Sequence, residues 1–186
     1  MRLSLFMLSV LIGLTACGDK KARFLISPPE TTAQARLRVA SIEVRDVSLP
    51  AYASASEIVV EDATGALRPV PKAIWADDPA RGVTGALARS LGAASTSTVA
   101  AEPWPLNDAP QARLQVRIDQ MIAKFDGGFQ LEGQFAISST QGAVSDSLSR
   151  FEISVPMADL TPASVAAATG VALDQLAAKI VAKLKA

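Results

Sequence analysis

The clearest alternation of apolar and polar side chains runs from Leu114 to Val155 and predicts three antiparallel strands. In each of three segments the apolar residues share one face, and polar residues lie between them. The apolar residues are Leu114, Val116, Ile118 and Ile122 in the first segment, Phe129, Leu131, Phe135 and Ile137 in the second, and Phe151, Ile153 and Val155 in the third. Asp126-Gly127-Gly128 supplies a tight turn between the first two segments. The pattern is typical of a meander with one solvent-facing side.

Two segments carry helical periodicity. Asp77-Asp78-Pro79 is a typical helix start, and with Gly92 as its stop it predicts a helix over residues 79–91. Thr161-Pro162 begins a second helix with an apolar stripe formed by Val165, Thr169, Leu173, Leu176, Ile180 and Leu184. Such a stripe suits a membrane or a partner as well as a core, but packing on the apolar face of the meander is favoured because that face must be covered.

Shorter apolar runs predict further strands in the first half of the chain. These runs are Phe24-Leu25-Ile26, Leu37–Val47 with a bulge near Ala40-Ser41, Glu57–Glu61, and Leu67–Val70, the last limited by Pro69. Residues 93–110 read as a surface connection. The predicted fold is therefore α+β, a single domain with a mainly antiparallel sheet of about six strands covered by two helices.

The first residues form an export signal. Met1-Arg2 precedes an apolar run from Leu3 to Gly13, and Leu14-Thr15-Ala16-Cys17 resembles the lipobox of bacterial lipoprotein precursors. The run is shorter than the roughly 20 apolar residues that span a bilayer. The alternatives are an ordinary signal cleaved after Ala16 or an uncleaved anchor. We expect a signal peptide over residues 1–16, an acylated Cys17 that begins a tether over 17–23, and a folded domain over 24–186.

The predicted anchor determines where the folded body lies. Several acyl chains hold a protein stably on a bilayer, and Gly18 stands where inner-membrane retention in enteric bacteria uses Asp. Residues 18–23 extend over about 20 Å at most. The sequence therefore predicts a domain on the periplasmic side of the outer membrane, close to the lipid, with the inner membrane as the less favoured location.

Composition excludes most catalytic chemistry. The chain of 186 residues has no His and one Cys, so a Ser-His-Asp triad, a His-ligated zinc site and an internal disulfide are ruled out. No phosphate-binding glycine motif or metal-spaced cluster occurs. Its 18 basic and 18 acidic residues argue against a nucleic-acid partner. We expect neither an enzyme nor a metal or cofactor site.

Several short segments follow one another in a characteristic order: the lipobox, Phe24-Leu25-Ile26 closed by Pro28, Leu37–Val44, Leu49-Pro50-Ala51-Tyr52, Glu57-Ile58-Val59 and Ile74-Trp75-Ala76-Asp77. Together they resemble the PqiC/YmbA family of ABC-type transport auxiliary lipoproteins. Their order and spacing match across nearly the whole mature chain. Two departures are Ile74-Trp75-Ala76-Asp77, where the family usually has Arg-Trp-Ala-Glu, and Ala53, where it usually has Leu.

The resemblance implies an outer-membrane accessory subunit that works with a membrane-spanning MCE-domain partner in moving phospholipid or other hydrophobic molecules. Leu49, Pro50, Tyr52 and Trp75 are candidate partner-interface residues because they lie in the matching segments; core packing is the alternative for Trp75. Open strand edges suit partner docking or homo-oligomerisation. Lipid binding by the subunit itself is a separate hypothesis. The alternative function is an outer-membrane assembly or structural envelope lipoprotein unrelated to MCE transport.

Overall fold

The computed structural model describes residues 21–29, 34–139 and 141–185. The predicted signal peptide and Cys17 lie outside these residues, as does most of the tether. The described part contains ten elements: β1 (Ala22–Phe24), β2 (Ser41–Val44), β3 (Glu57–Glu61), β4 (Leu67–Trp75), α1 (Pro79–Ala94), β5 (Thr98–Ala101), β6 (Ala112–Ala123), β7 (Gly128–Ser139), β8 (Ser147–Pro156) and α2 (Pro162–Leu184).

The predicted meander is confirmed. Strands β6, β7 and β8 pair antiparallel in sequence order, and burial alternates along each of them. Helix α2 covers the apolar face of the meander, and every residue of its predicted stripe is buried. Helix α2 is long and apolar enough to cross a membrane by length and composition, but 61% of the relevant window is buried inside the fold. It is the core helix of the domain.

The sheet forks at β6. One edge of β6 pairs with β7 over its whole length, while the other edge carries two branches. At the start of β6, β2 pairs with it in parallel and β5 lies beyond β2; at Ala123, β3 pairs with it in parallel, followed by β4 and β1. The sheet is therefore mixed and eight-stranded, and the prediction of a mainly antiparallel sheet with about six strands is wrong. The four parallel pairs join segments distant in sequence, which a local hydrophobic pattern does not reveal.

Element boundaries in the branches differ from the predicted ones. The first strand is Ala22–Phe24 and not residues 24–26, and the predicted connection over residues 93–110 contains β5. Strand β4 continues past Pro69 to Trp75. Strand β1 pairs only with residues 73–75 of β4, so the residues of β4 before 73 have one unpaired side. Proline is tolerated at position 69 because no N–H donor is needed on that side.

Helix α1 begins as predicted and ends later. Asp78 caps it by accepting a hydrogen bond from the Arg81 N–H at 3.0 Å, with Pro79 in the first turn. Gly92 lies inside the helix and not at its end. The stop is Ser95, whose backbone turns extended while its hydroxyl donates to the Leu91 carbonyl at 2.7 Å.

The chain that leaves β1 crosses both helices. Ile26 is buried, and the Arg89 guanidinium of α1 donates to its carbonyl at 3.3 Å. Ser27 then passes over α2 at Gly170 so closely that a Cβ on Gly170 would overlap the Ser27 carbonyl oxygen and lie 2.7 Å from its carbonyl carbon. This crossing fixes the path of the N-terminal segment against the core.

Candidate partner-docking site

The loop that carries three of the four predicted interface residues is fastened to β6. The Met121 N–H donates to the Tyr52 hydroxyl at 3.0 Å. The Pro50 carbonyl accepts from two backbone amides further along the loop, at 2.9 and 3.0 Å. Leu49, Pro50 and Tyr52 are each half-buried. The loop is therefore a rigid part of the surface, and its role in partner binding stays a prediction.

Tyr52 and Trp75 lie close together, the first half-buried and the second buried. Both line a gap of about 10 Å³ that Met121 and Phe129 also border. A space of that size has room for one water molecule at most. Trp75 is only 6% exposed and belongs to the main hydrophobic core, so its position fits the alternative of core packing.

A concave site lies next to Trp75, in the fork of the sheet. It is a cleft of about 360 Å³ between the end of β1, the first half of α1 and the ends of β2 and β5. Its lining includes Phe24, Leu25, Ile26, Trp75, Thr84 and Ala101. Leu25 is 69% exposed and lies in the lining. We refer to this feature as the fork cleft.

Buried hydrogen bonds hold the walls of the fork cleft together. The Thr84 hydroxyl of α1 accepts from the Val47 N–H at 2.9 Å and donates to the Ala80 carbonyl at 2.7 Å. This contact ties the helix to the chain that leaves β2. The cleft is thereby built on rigid elements, as preformed binding sites are.

The fork cleft has charged groups of both signs in its lining. Asp46, Asp77, Asp78 and Glu102 bring four carboxylates, and Arg81 and Arg89 bring two guanidinium groups. Part of this charge is already engaged, because Arg81 lies 3.7 Å from Asp77, while Arg45 outside the lining lies 2.8 Å from Glu102. The arrangement suits an apolar side chain surrounded by hydrogen bonds. Sequence reasoning missed the site because its walls come from four separate stretches of chain.

Two carboxyl groups with lowered pKa values lie elsewhere, at turns. Hydrogen bonds from the Thr64 hydroxyl, and next from Arg68, hold the pKa of Asp62 well below its ordinary range. The pKa of Asp159 is lowered by the hydroxyls of Ser164 and Thr161 at the start of α2. Both carboxylates stabilise local backbone structure. Neither lines the fork cleft.

No group of three or more His, Cys, Asp and Glu side chains is arranged to hold a metal ion within residues 21–29, 34–139 and 141–185. The fork cleft offers a contact surface made of apolar and charged side chains. Its geometry supports binding of another molecule.

Two solved structures resemble the fold over most of the chain. The crystal structure of an uncharacterized protein has a TM-score of 0.70 at 14% identity, covering 89% of this chain and 99% of that one. A protein from Xanthomonas campestris has a TM-score of 0.63 at 16% identity, covering 88% and 92%. These likenesses show a shared fold. Comparison with curated proteins gave no match.

The family assignment comes from the sequence as a whole. The family model described as "ABC-type transport auxiliary lipoprotein component" matches residues 24–181. That range includes the five mature-chain segments that carry the resemblance noted above, and it confirms the predicted family. This is a family of transport accessory proteins and not a known enzyme family. The chain belongs to the ABC-type transport auxiliary lipoproteins.

Proposed function

We propose that the chain is an accessory subunit of an MCE/ABC-type intermembrane lipid transport system, anchored in the outer membrane and facing the periplasm. Residues 1–16 are removed, the acylated Cys17 and residues 17–23 form the tether, and the domain over 24–186 holds the MCE-domain partner. Membership of a transport auxiliary lipoprotein family supports association with an ABC-type transporter and attachment to a membrane.

The position of the fork cleft supports the docking role most directly. Strand β1 has only three residues. The last residues of the predicted tether, Ala22 and Arg23, are the first two of β1, and the residues at the other end of the strand line the fork cleft. Cys17 precedes Phe24 by seven residues, which extend over about 25 Å at most. A partner segment seated in the cleft is thus held within a short distance of the bilayer.

The fork cleft also has suitable chemistry for a protein partner. Its volume of about 360 Å³ is near the lower end of the range for small-molecule pockets. Protein interfaces often place one buried aromatic or aliphatic anchor in such a pocket, surrounded by polar contacts. We therefore infer that an apolar side chain of the MCE-domain protein occupies the cleft, with Leu25 covering it.

The docking role is tested by site-specific crosslinking in intact cells. A photo-crosslinking amino acid replaces Leu25 in the full-length chain, and in a matched control it replaces Leu148, which is 66% exposed on the polar face of β8. We expect crosslinks to an MCE-domain protein from position 25 and not from position 148. Equal yields at the two positions, or none from position 25, contradict docking at the cleft.

The anchor is tested separately by metabolic labelling with radioactive palmitate. We expect label in the mature chain and none in the Cys17→Ser variant, because the thiol is the acylation site. The variant should also leave the outer-membrane fraction. An unlabelled wild-type chain, or one found in the inner membrane, contradicts the proposed anchor or its location.

A further inference from the structure

Two large apolar side chains are exposed at one end of the sheet. Leu67 begins β4 and is 41% exposed, and Phe125 lies in the turn after β6 and is 58% exposed. Glu61 pairs with Leu67 across the β3–β4 hairpin, and its carboxylate accepts from the Lys124 ammonium group at 2.8 Å. The two turns therefore lie side by side, and we call residues 61–67 and 124–128 the hairpin tips.

The direction of β1 points the tether toward the hairpin tips. Ala22 pairs with Ala73, and β1 runs parallel to β4. Leu67 pairs with Glu61 and Ile74 with Glu57, with an irregularity in β4 between them, so the levels of Leu67 and Ile74 are four β3 residues apart, about 13 Å. The chain before Ala22 enters from that same direction. Cys17 precedes Ala22 by five positions, which extend over about 18 Å at most, so Cys17 reaches the level of the hairpin tips and only a few ångströms beyond it.

The opposite end of the sheet is beyond the reach of the tether. Strand β6 has twelve residues and runs from Ala112 at that end to Ala123 beside the hairpin tips, a length of about 36 Å. Leu148, near the start of β8, lies toward the Ala112 end because β8 runs in the same direction as β6. A bilayer that holds Cys17 therefore lies much nearer Phe125 than Leu148.

Both basic groups at the hairpin tips are paired with carboxylates. The Arg68 guanidinium lies 3.1 Å from the Asp62 carboxylate, and Lys124 lies 2.8 Å from Glu61. Asp126 adds a further negative charge in the second turn. Attraction to anionic head groups is therefore weak here, and the apolar side chains are the groups that favour contact with lipid.

We propose that the hairpin tips are a second membrane contact, in which Phe125 and Leu67 insert between the head groups and acyl chains of the bilayer that carries Cys17. This inference rests on the proposed anchor at Cys17. Exposed aromatic and aliphatic side chains occupy this boundary in proteins that lie on membranes. The contact fixes the orientation of the domain, with the start of β1 toward the lipid and the fork cleft on the far side of β1.

The experiment measures the depth of a nitroxide label on the full-length lipidated chain. Phe125→Cys, Leu67→Cys and the control Leu148→Cys are each labelled and reconstituted in phosphatidylcholine vesicles, after intact mass has shown the acyl chains on Cys17. Power saturation then compares collisions with oxygen, which concentrates in lipid, and with a water-soluble nickel chelate. We expect the ratio to favour oxygen at positions 125 and 67 and nickel at 148.

Each result has a distinct meaning. A nickel-accessible label at positions 125 and 67 on an acylated chain overturns the tip contact while leaving the anchor intact. A mass without acyl chains overturns the anchor at Cys17, and the inference with it. Adding anionic lipid should leave the depth unchanged, and a contact that forms only with anionic lipid overturns the apolar mode. Using two tip positions ensures that one poorly folding variant does not decide the result.

Discussion

The crossing of the N-terminal segment over α2 leads to a sharp prediction for Gly170→Ala. In an unobstructed helix this change stabilises by about 1 kcal/mol, because alanine has the higher helix propensity. Here the added Cβ overlaps the Ser27 carbonyl oxygen, a backbone atom that a side-chain rotation cannot move. Overpacking of a tight contact costs about 3 kcal/mol at the upper end. The expected net loss of unfolding free energy is about 2 kcal/mol.

Thermal unfolding of the full-length protein in mild detergent, followed by circular dichroism, measures this loss. For a chain of this size about 2 kcal/mol corresponds to a fall of roughly 4–8 °C in the midpoint. Gly92→Ala is the matched control, since its Cβ would meet only the Val99 Cβ at an ordinary 3.9 Å. That variant should be more stable than the wild type. Equal stabilisation by both substitutions would refute the close approach at Gly170.

Two further predictions concern hydrogen bonds. Thr84→Val keeps the side-chain shape but leaves the buried Val47 N–H without its acceptor, which should lower the unfolding free energy by about 1–3 kcal/mol; an unchanged urea midpoint would count against this role. The pKa of Asp62 is depressed by hydrogen bonds from Thr64 and Arg68. Its contribution to stability is therefore complete above its unfolded pKa of about 3.9 and is lost as the pH falls through the lower folded value. The carboxyl carbon of Asp62, followed by NMR, should titrate below about 3.9, and an ordinary midpoint would exclude these hydrogen bonds.

The parts of the fold that could be predicted from sequence are those whose partners are close in the chain. Strands β6 and β7 follow one another through the turn at Asp126-Gly127-Gly128, so alternation gives both the strands and their pairing. Helix α2 is equally clear because its buried stripe has six positions spaced three or four residues apart. Period and turn chemistry are local properties, and they sufficed for this half of the molecule.

The forked branches could not be predicted in the same way. Ile42 pairs with Ala112 although seventy positions separate them, and β5 is a Thr-Val-Ala-Ala segment without alternation. Such strands form because the backbone of an adjacent strand offers hydrogen bonds, even where their own residues do not alternate between apolar and polar. Pro69 predicts an early end for β4, but the strand continues because its side at Pro69 is open and needs no N–H donor. The sequence does not show which side of a strand is left open.

The candidate site was only partly accessible to sequence reasoning. The family resemblance indicates Tyr52 and Trp75, and the structure brings these two together, but around a gap too small for a partner side chain. The Asp77-Asp78-Pro79 segment correctly predicts a helix start. Asp78 also lines a cleft with Leu25 and Glu102, and this position depends on the tertiary packing of distant segments. No local pattern carries that information.

The shortness of β1 has a mechanical consequence. In the proposed arrangement, tension between the bilayer and a bound transporter enters the domain through three residue pairs between β1 and β4. The pull acts along the strand axis, so these hydrogen bonds are loaded together in shear and not opened one after another. If the strand yields, its residues lengthen the linker by about 10 Å. In this proposed arrangement, release of β1 accommodates a change of about that length in the spacing between the two membranes.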